Sequence, residues 1–328
     1  MDWKIIGHEW AVTMLRQHIQ KSKLQHAYLF TGAPGIGKRT LALKFAQAIN
    51  CTASTMPGAP CDSCRDCKQF EAMQHPDLSL ITPEDVGGKI KVNQIRELQH
   101  VLSLAPYQSK YRIALLQGFD KANANAQNAL LKTLEEAPPR VILLLTSVSA
   151  ENLLPTIVSR CEILRLRPMP LQVLQEELTQ SWQIPAEKAR LLAHITSGRL
   201  GEALQYHNNE TLMEQRKTHL EDMNILLKSN IRDRFSYAES ASQEKQELHF
   251  RFETWLSLWR DMLHLHAQSQ APLINLDWQQ DLNSLCHQIN IHEINEQASA
   301  MEHALAQLET NQNPRLLTEV LLMNWPKI

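Results

Sequence analysis

The sequence lacks the features that would direct it into a membrane, out of the cell, or onto a polyanion through bulk charge. It contains no apolar run near the roughly 20 residues that a membrane-spanning helix needs. Its 33 basic and 35 acidic side chains give a net charge of −2, which predicts no strong attraction to nucleic acid or lipid. Residues 1–4 show no secretory signal pattern. We therefore expect a cytoplasmic protein with reduced cysteines and no membrane partner.

Strand patterns are missing from the second half of the chain. Up to about residue 165, short apolar runs alternate with helical patterns, which predicts a parallel sheet with helices on both faces. Beyond Pro170 the apolar residues recur only at helical spacing. The expected fold class is therefore α/β followed by all-α. The expected strands are residues 27–30, 78–81, 113–116 and 141–145, and the main expected helices are 9–23, 40–49, 92–102, 125–136 and 315–324.

A glycine-rich segment, GAPGIGK at residues 32–38, lies between a predicted strand and a predicted helix. In a phosphate-binding loop, glycines let backbone N–H groups approach the anion and the lysine reaches the terminal phosphates. The candidate nucleotide-binding residues are Gly32, Gly35, Gly37 and Lys38. Arg39 stands where a hydroxyl residue is expected to hold magnesium. The loop therefore either binds nucleotide or keeps the turn without that function.

The predicted strand at residues 113–116 lacks acid at its end. Phosphoryl transfer needs a strand-end carboxylate for magnesium and a residue that orients water. Gln117 and Gly118 occupy these positions and can do neither. Asp120 follows three residues after Gln117, where we expect it in a solvated turn. These residues argue against ATP hydrolysis at the loop.

Four of the six cysteines lie close together in the sequence. Cys51, Cys61, Cys64 and Cys67 have the spacing C-x9-C-x2-C-x2-C. Four thiolates can converge on one ion, and a tetrahedral set of sulfur ligands suits zinc. An iron–sulfur cluster is the alternative, but a bacterial ferredoxin run would need another cysteine followed by proline soon after Cys67. We expect structural zinc, because four protein ligands leave no open position.

Four motifs occur in order: the phosphate loop, the cysteines, NALLKTLEE at residues 128–136, and SRC at residues 159–161. Together they resemble the bacterial DNA polymerase III clamp-loader subunits of the AAA+ superfamily. Within this family the chain is more similar to the delta-prime class than to the gamma/tau ATPases, which would carry Asp-Glu at Gln117-Gly118 and Ser or Thr at Arg39. The motifs end near residue 165, and beyond them the resemblance rests on helical character and residues 198–204.

The resemblance implies three domains and a set of partners. An AAA+ nucleotide-binding core would span 1–166 with a zinc-binding insert at 51–67, a small helical lid 167–207, and a helical collar 208–328. The collar would join the chain to gamma/tau ATPase subunits and a delta subunit in a hetero-pentamer. That ring would contact the sliding clamp and primed DNA in the nucleoid-associated replisome.

The resemblance also implies a role for Arg160, as an arginine finger that reaches the ATP of a neighbouring subunit. A guanidinium suits this role because it stays charged and offers forked donors. The alternative is an ordinary surface arginine. Active members carry a lid arginine where this chain has Gly201, with Arg199 two residues earlier. A catalytically silent subunit is therefore expected, and the competing hypotheses are a weak ATPase using Lys38 with Thr40 and a zinc-dependent nucleic-acid-binding module.

Overall fold

The computed structural model describes residues 3–54, 56–84, 88–308 and 312–328. The chain divides into two compact units, Met1–Met169 and Pro170–Ile328. The division into a core at 1–166, a lid at 167–207 and a collar at 208–328 stays a prediction. Among the described residues, none of the helices combines the length and apolar character that crossing a bilayer requires.

The first unit contains a five-stranded parallel sheet in the order β2-β3-β4-β1-β5. All four strand pairs are parallel, so the carboxyl ends of the strands lie along one edge of the sheet. The strands are β1 Ala27–Thr31, β2 Leu78–Ile81, β3 Arg112–Leu116, β4 Val141–Ser147 and β5 Glu162–Arg165. The helices are α1 Glu9–Gln20, α2 Lys38–Asn50, α3 Arg65–Glu71, α4 Val92–Leu102, α5 Ala124–Glu135 and α6 Pro155–Val158, with a 3₁₀ turn at Phe119–Lys121.

The sheet is covered on both faces, which explains why its central strands are predominantly apolar. Every residue of β1, β3 and β4 is buried. Because side chains alternate across a strand, Tyr28 and Phe30 join the hydrophobic cluster on one face, while Leu29 joins the cluster on the other. The predicted α/β class of the first unit is confirmed.

The edge strand β5 was not among the expected strands. Its sequence Glu162–Arg165 has a charged residue at each end, and only Leu164 is fully buried. β5 pairs with β1 on one side and forms the sheet edge on the other. An edge strand needs fewer apolar residues than a central one, so its pattern is weak in the sequence.

Every regular element among the described residues of the second unit is a helix, which confirms the all-α prediction. Residues Trp255, Trp259 and Trp325 meet edge to face in its core, with ring centroids 4.9 and 5.8 Å apart. These three tryptophans therefore serve as core packing. The helices are α7 Leu171–Trp182, α8 Ala186–Ile195, α9 Leu200–Asn208, α10 Glu210–Lys228, α11 Ile231–Ala241, α12 Lys245–His266, α13 Gln279–Gln288, α14 Ile291–Leu308 and α15 Pro314–Met323, with a 3₁₀ turn at Leu276–Trp278.

A buried arginine on α11 holds together the carboxyl ends of α10 and α15. The guanidinium of Arg234 is 4% exposed and donates to backbone carbonyl oxygens at distances of 2.7 to 3.3 Å. Helix carboxyl ends carry unpaired carbonyl groups and partial negative charge, so they can accept a cation. The acceptors are Leu226, Leu227, Leu322, Trp325 and Pro326.

We expect Arg234→Met to destabilise the second unit by about 3 kcal/mol, because methionine fills the space but leaves several buried carbonyl groups without a donor. Urea unfolding, read by pulsed hydrogen exchange of peptides from the second unit, would measure the loss. Arg232→Met is the matched control, since Arg232 is exposed on the same helix and loses the same charge. Equal midpoints for the two variants would contradict this account of Arg234.

Candidate functional sites in the first unit

The glycine-rich loop joins β1 to α2 and depends on glycine at three positions. Gly32, Gly35 and Gly37 have φ angles of 147°, 74° and 101°, in the region that favours glycine. A Cβ atom at Gly32 would lie 2.8 Å from the carbonyl oxygen of Leu166, which a side chain cannot tolerate. The structure thus brings the predicted glycines together in a strand–loop–helix turn, with Gly37 at the N-cap of α2.

The side chain of Lys38 folds back onto the loop from which it emerges. Its ammonium group donates to the carbonyl oxygens of Gly32 and Ala33, the latter at 2.9 Å. Burial lowers the pKa of Lys38 to about 8, and the negative charge of Asp120 opposes that shift. An incoming phosphate would have to replace these carbonyl contacts before the lysine could bind it.

His8 also holds the loop, a contact that no pattern in the sequence indicates. Its Nε2 lies 2.8 Å from the carbonyl oxygen of Ile36, so Nε2 carries the proton and donates. The residue is 3% exposed, and its Nδ1 has no partner among the described residues. His8 precedes α1, so the contact fixes the first helix against the loop. Nothing in the spacing of His8 and Ile36 could have identified it.

At the end of β3, where an ATPase would carry acidic residues, the chain makes backbone contacts instead. The N–H of Gly118 donates to Thr146 Oγ1 at 2.9 Å, and Gly118 has a φ of 66°. Asp120 lies in the 3₁₀ turn beyond the strand, as expected. It is half-buried rather than fully solvated, and its Oδ1 accepts from the N–H of Val148 at 3.3 Å. The negative charge of Asp120 also favours the charged form of Lys38 and so raises its pKa.

The four predicted metal ligands converge. The Sγ atoms of Cys51, Cys61, Cys64 and Cys67 all lie within 4.8 Å of one another, and those of Cys61 and Cys67 are 3.9 Å apart. Four sulfurs about 2.3 Å from a tetrahedral ion would be separated by about 3.8 Å. The four side chains thus form a group that can hold a metal ion with little rearrangement.

Backbone and side-chain donors favour thiolate at one cysteine of this group. The N–H of Cys64 donates to Cys61 Sγ at 3.2 Å. A hydrogen bond from Ser63 and this backbone contact lower the pKa of the Cys61 thiol to about 6. Burial raises the pKa of Cys51 and Cys67, so those thiols would ionise on binding a cation.

The cysteine insert is attached to α2, the helix that follows the glycine loop. The side chain of Gln47 donates to the carbonyl oxygen of Cys67 at 2.8 Å, and Lys44 pairs with Asp62 at 2.7 Å. From the other side, Trp3 Nε1 donates to the carbonyl oxygen of Gly58 at 2.9 Å. The insert is therefore continuous with the core of the first unit.

Arg160 lies between α6 and β5, close to the surface. Its Nη2 donates to Glu135 Oε1 at 2.8 Å, and its Nη1 to the carbonyl oxygen of Thr156 at 2.9 Å. The side chain of Arg160 is 35% exposed. The structure thus joins two of the sequence motifs, because Glu135 belongs to residues 128–136. The adjacent Cys161 is half-buried, and burial raises the pKa of its thiol to about 12.

The second unit contains the lid positions named from the sequence. Gly201 lies in α9, and Arg199 precedes that helix. Arg199 pairs with Glu202 at 2.6 Å and donates from Nε to the carbonyl oxygen of Thr196 at 2.7 Å. Burial raises the pKa of Glu202 to about 7, against the opposing charge of Arg199. Arg199 is therefore already engaged within its own unit.

Comparison with known proteins gives matches over most of the chain. A family model described as DNA polymerase III, delta subunit, matches residues 7–170, and one described as DNA polymerase III, delta subunit, C terminal, matches 210–327. DNA polymerase III subunit delta' of Bacillus subtilis is 31% identical over 94% of this chain and 93% of its own length. Subunit delta' of Pseudomonas aeruginosa is 34% identical over 68% of each chain. Subunit tau of Escherichia coli is 31% identical over 61% of this chain but only 31% of its own length.

We expect Lys38 to titrate with a midpoint near 8 rather than the ordinary lysine value of 10.5, because burial disfavours its charged form. Competitive acetylation by trace acetic anhydride over a pH series, read by mass spectrometry, would measure the midpoint. The exposed Lys217 serves as the internal reference for reagent reactivity. A midpoint near 10.5 for Lys38 would show that its ammonium is not held inside the loop.

Proposed function

Because the chain belongs to the DNA polymerase III clamp-loader family and is similar over most of its length to the delta-prime (delta') subunits, we propose that it is a clamp-loader subunit that does not hydrolyse ATP itself. In this role it assembles into a hetero-pentameric ring with gamma/tau ATPase subunits and a delta subunit. It donates Arg160 to the ATP site of a neighbouring ATPase subunit. The ring then loads the sliding clamp onto primed DNA in the cytoplasm during replication.

One observation carries the non-hydrolysing part of the proposal: the end of β3, at the same edge of the sheet as the glycine loop, carries Gln117 and Gly118. Magnesium-dependent phosphoryl transfer needs a carboxylate there to hold the ion and another residue to orient water. The N–H of Gly118 instead bonds to Thr146. Asp120 lies in the following turn, where it acts on Lys38 and accepts from a backbone N–H. The loop can shape a phosphate pocket, but the groups for hydrolysis are not at the strand end.

The hydrogen bonds between Lys38 and its own loop support the same proposal. Lys38 satisfies its ammonium group with the carbonyl oxygens of Gly32 and Ala33, and Arg39 replaces the hydroxyl residue that would bind magnesium. Binding of nucleotide would therefore start from a lysine that has to leave existing hydrogen bonds. A weak ATPase remains the second candidate function, because the glycines, the lysine and Thr40 are all present.

The placement of Arg160 supports donation in trans. Its guanidinium is partly exposed, carries a permanent charge, and is held at two of its nitrogens. Arginine fingers supplied from a neighbouring protein stabilise the charge that develops in phosphoryl transfer. Such a residue contributes nothing to its own glycine loop, so a silent loop and a working finger are compatible.

We propose that the metal of the cysteine group is zinc in a structural role. Four thiolates without an open coordination position suit zinc, and the N–H···Sγ contacts within the group favour thiolate ligands. The insert is anchored to α2 through Gln47 and Asp62. The ion would close residues 51–67 into one knuckle and leave the sheet unaffected.

We expect Arg160→Ala to lower ATP turnover at the neighbouring site of the reconstituted ring by about 10³-fold or more, because the transition-state charge loses its guanidinium. Steady-state and single-turnover ATP hydrolysis with gamma/tau and delta subunits would measure the effect. Arg96→Ala is the matched control, since Arg96 is exposed on α4 of the same unit.

The same assay separates the two candidate functions. The isolated wild-type chain should hydrolyse no ATP, and Lys38→Ala should leave the activity of the ring nearly unchanged. Robust turnover by the isolated chain, lost in Lys38→Ala, would establish the weak-ATPase alternative. Full activity of the ring with Arg160→Ala would refute the finger.

Elemental analysis by mass spectrometry of the purified chain should give about one zinc ion per chain, since the group offers one complete tetrahedral ligand set. Cys64→Ser should lose most of that zinc, whereas Cys286→Ser, in the other unit, should retain it. Iron together with visible absorption from an iron–sulfur cluster would overturn the choice of metal.

A further inference from the structure

We infer that Glu135 is a positioning residue for Arg160: its carboxylate fixes the guanidinium in the orientation from which it reaches the neighbour's phosphate. This inference rests on the proposed function of Arg160 and extends it to a second residue. It comes from the contact between the last residue of α5 and the loop after α6.

The contact has the geometry of an oriented hydrogen bond. Arg160 Nη2 lies 2.8 Å from Glu135 Oε1, and Arg160 Nη1 lies 2.9 Å from the carbonyl oxygen of Thr156 and 3.5 Å from Ser159 Oγ. A planar guanidinium that is bound at both terminal nitrogens cannot rotate about its long side chain without breaking a contact. The two partners therefore determine the plane of the group.

These contacts leave donors for an incoming anion. A guanidinium has five N–H groups, and the contacts with Glu135, Thr156 and Ser159 do not use all of them. Phosphate oxygens can therefore bind while the carboxylate stays in place. The arrangement parallels metal sites, in which a carboxylate behind a histidine holds the ring that binds the ion.

A contribution to folding stability alone does not explain the Arg160–Glu135 ion pair. The side chains of Arg160 and Glu135 are 35% and 51% exposed, and exposed ion pairs contribute little to folding stability. Orientation, by contrast, matters for transfer of a phosphoryl group, since a small displacement of a catalytic group lowers the rate greatly. Holding the arginine in advance also reduces the conformational entropy that is lost when the phosphate binds.

The test is Glu135→Gln in the reconstituted ring, assayed for ATP hydrolysis. Glutamine keeps the size and one acceptor oxygen but loses the charge, so the guanidinium is held less firmly. We expect kcat of the neighbouring site to fall about 10-fold with KM nearly unchanged, because the contact acts on the transition state. Glu135→Asp should recover part of the rate. In an Arg160→Ala background, Glu135→Gln should have no further effect.

Glu136→Gln is the matched control, because Glu136 is exposed, adjacent, and carries the same charge. Equal rates for Glu135→Gln and the wild type would overturn the inference, as would a higher rate, which would mean that the carboxylate restrains the finger. A fall shared by Glu136→Gln would point to net charge instead. If Arg160→Ala itself has no effect, the proposed finger fails, whereas an effect of Arg160→Ala without one of Glu135→Gln refutes only the positioning role.

Discussion

The candidate sites of the first unit depend on one constraint, the parallel pairing that puts β1 between β4 and β5. Parallel strands deliver their carboxyl ends to the same edge of the sheet, so the segments after β1, β3, β4 and β5 meet there. Gly32 shows how tightly they meet. Its N–H lies 3.0 Å from the carbonyl oxygen of Val148, after β4, and its missing side chain leaves room for Leu166, after β5. The glycine loop is thus part of the packing of the sheet edge.

The charges at this edge of the sheet are balanced by groups of the chain itself. In an ATPase, strand-end acid and the ion would balance the charges of phosphate and lysine. Here the ammonium of Lys38 is balanced by carbonyl oxygens of its own loop and by the more distant charge of Asp120. His8 holds the same loop through the carbonyl of Ile36. These hydrogen bonds, all from groups of this chain, hold the loop in its shape.

Features set by neighbouring residues were predictable from the sequence, and those set by tertiary packing were not. The glycine loop and the convergence of Cys51, Cys61, Cys64 and Cys67 follow from local spacing, and both are found in the structure. The edge strand β5 carries too little apolar character to be recognised. The hydrogen bond of His8 depends on where α1 packs, and that of Glu135 on how α5 approaches α6. Contacts of this kind produce no recognisable residue spacing in the sequence.

The same packing explains why the loop needs glycine at position 32 whether or not the chain hydrolyses ATP. Any side chain at Gly32 would collide with the backbone after β5, and the N–H of Leu166 bonds to the carbonyl oxygen of Thr31 at 2.8 Å. β5 begins two residues after Arg160, so a shift of this strand would move the arginine. In the proposed role, the chemistry of the loop can be lost while its shape cannot, because the shape of the loop helps to hold the residue that serves the neighbouring site.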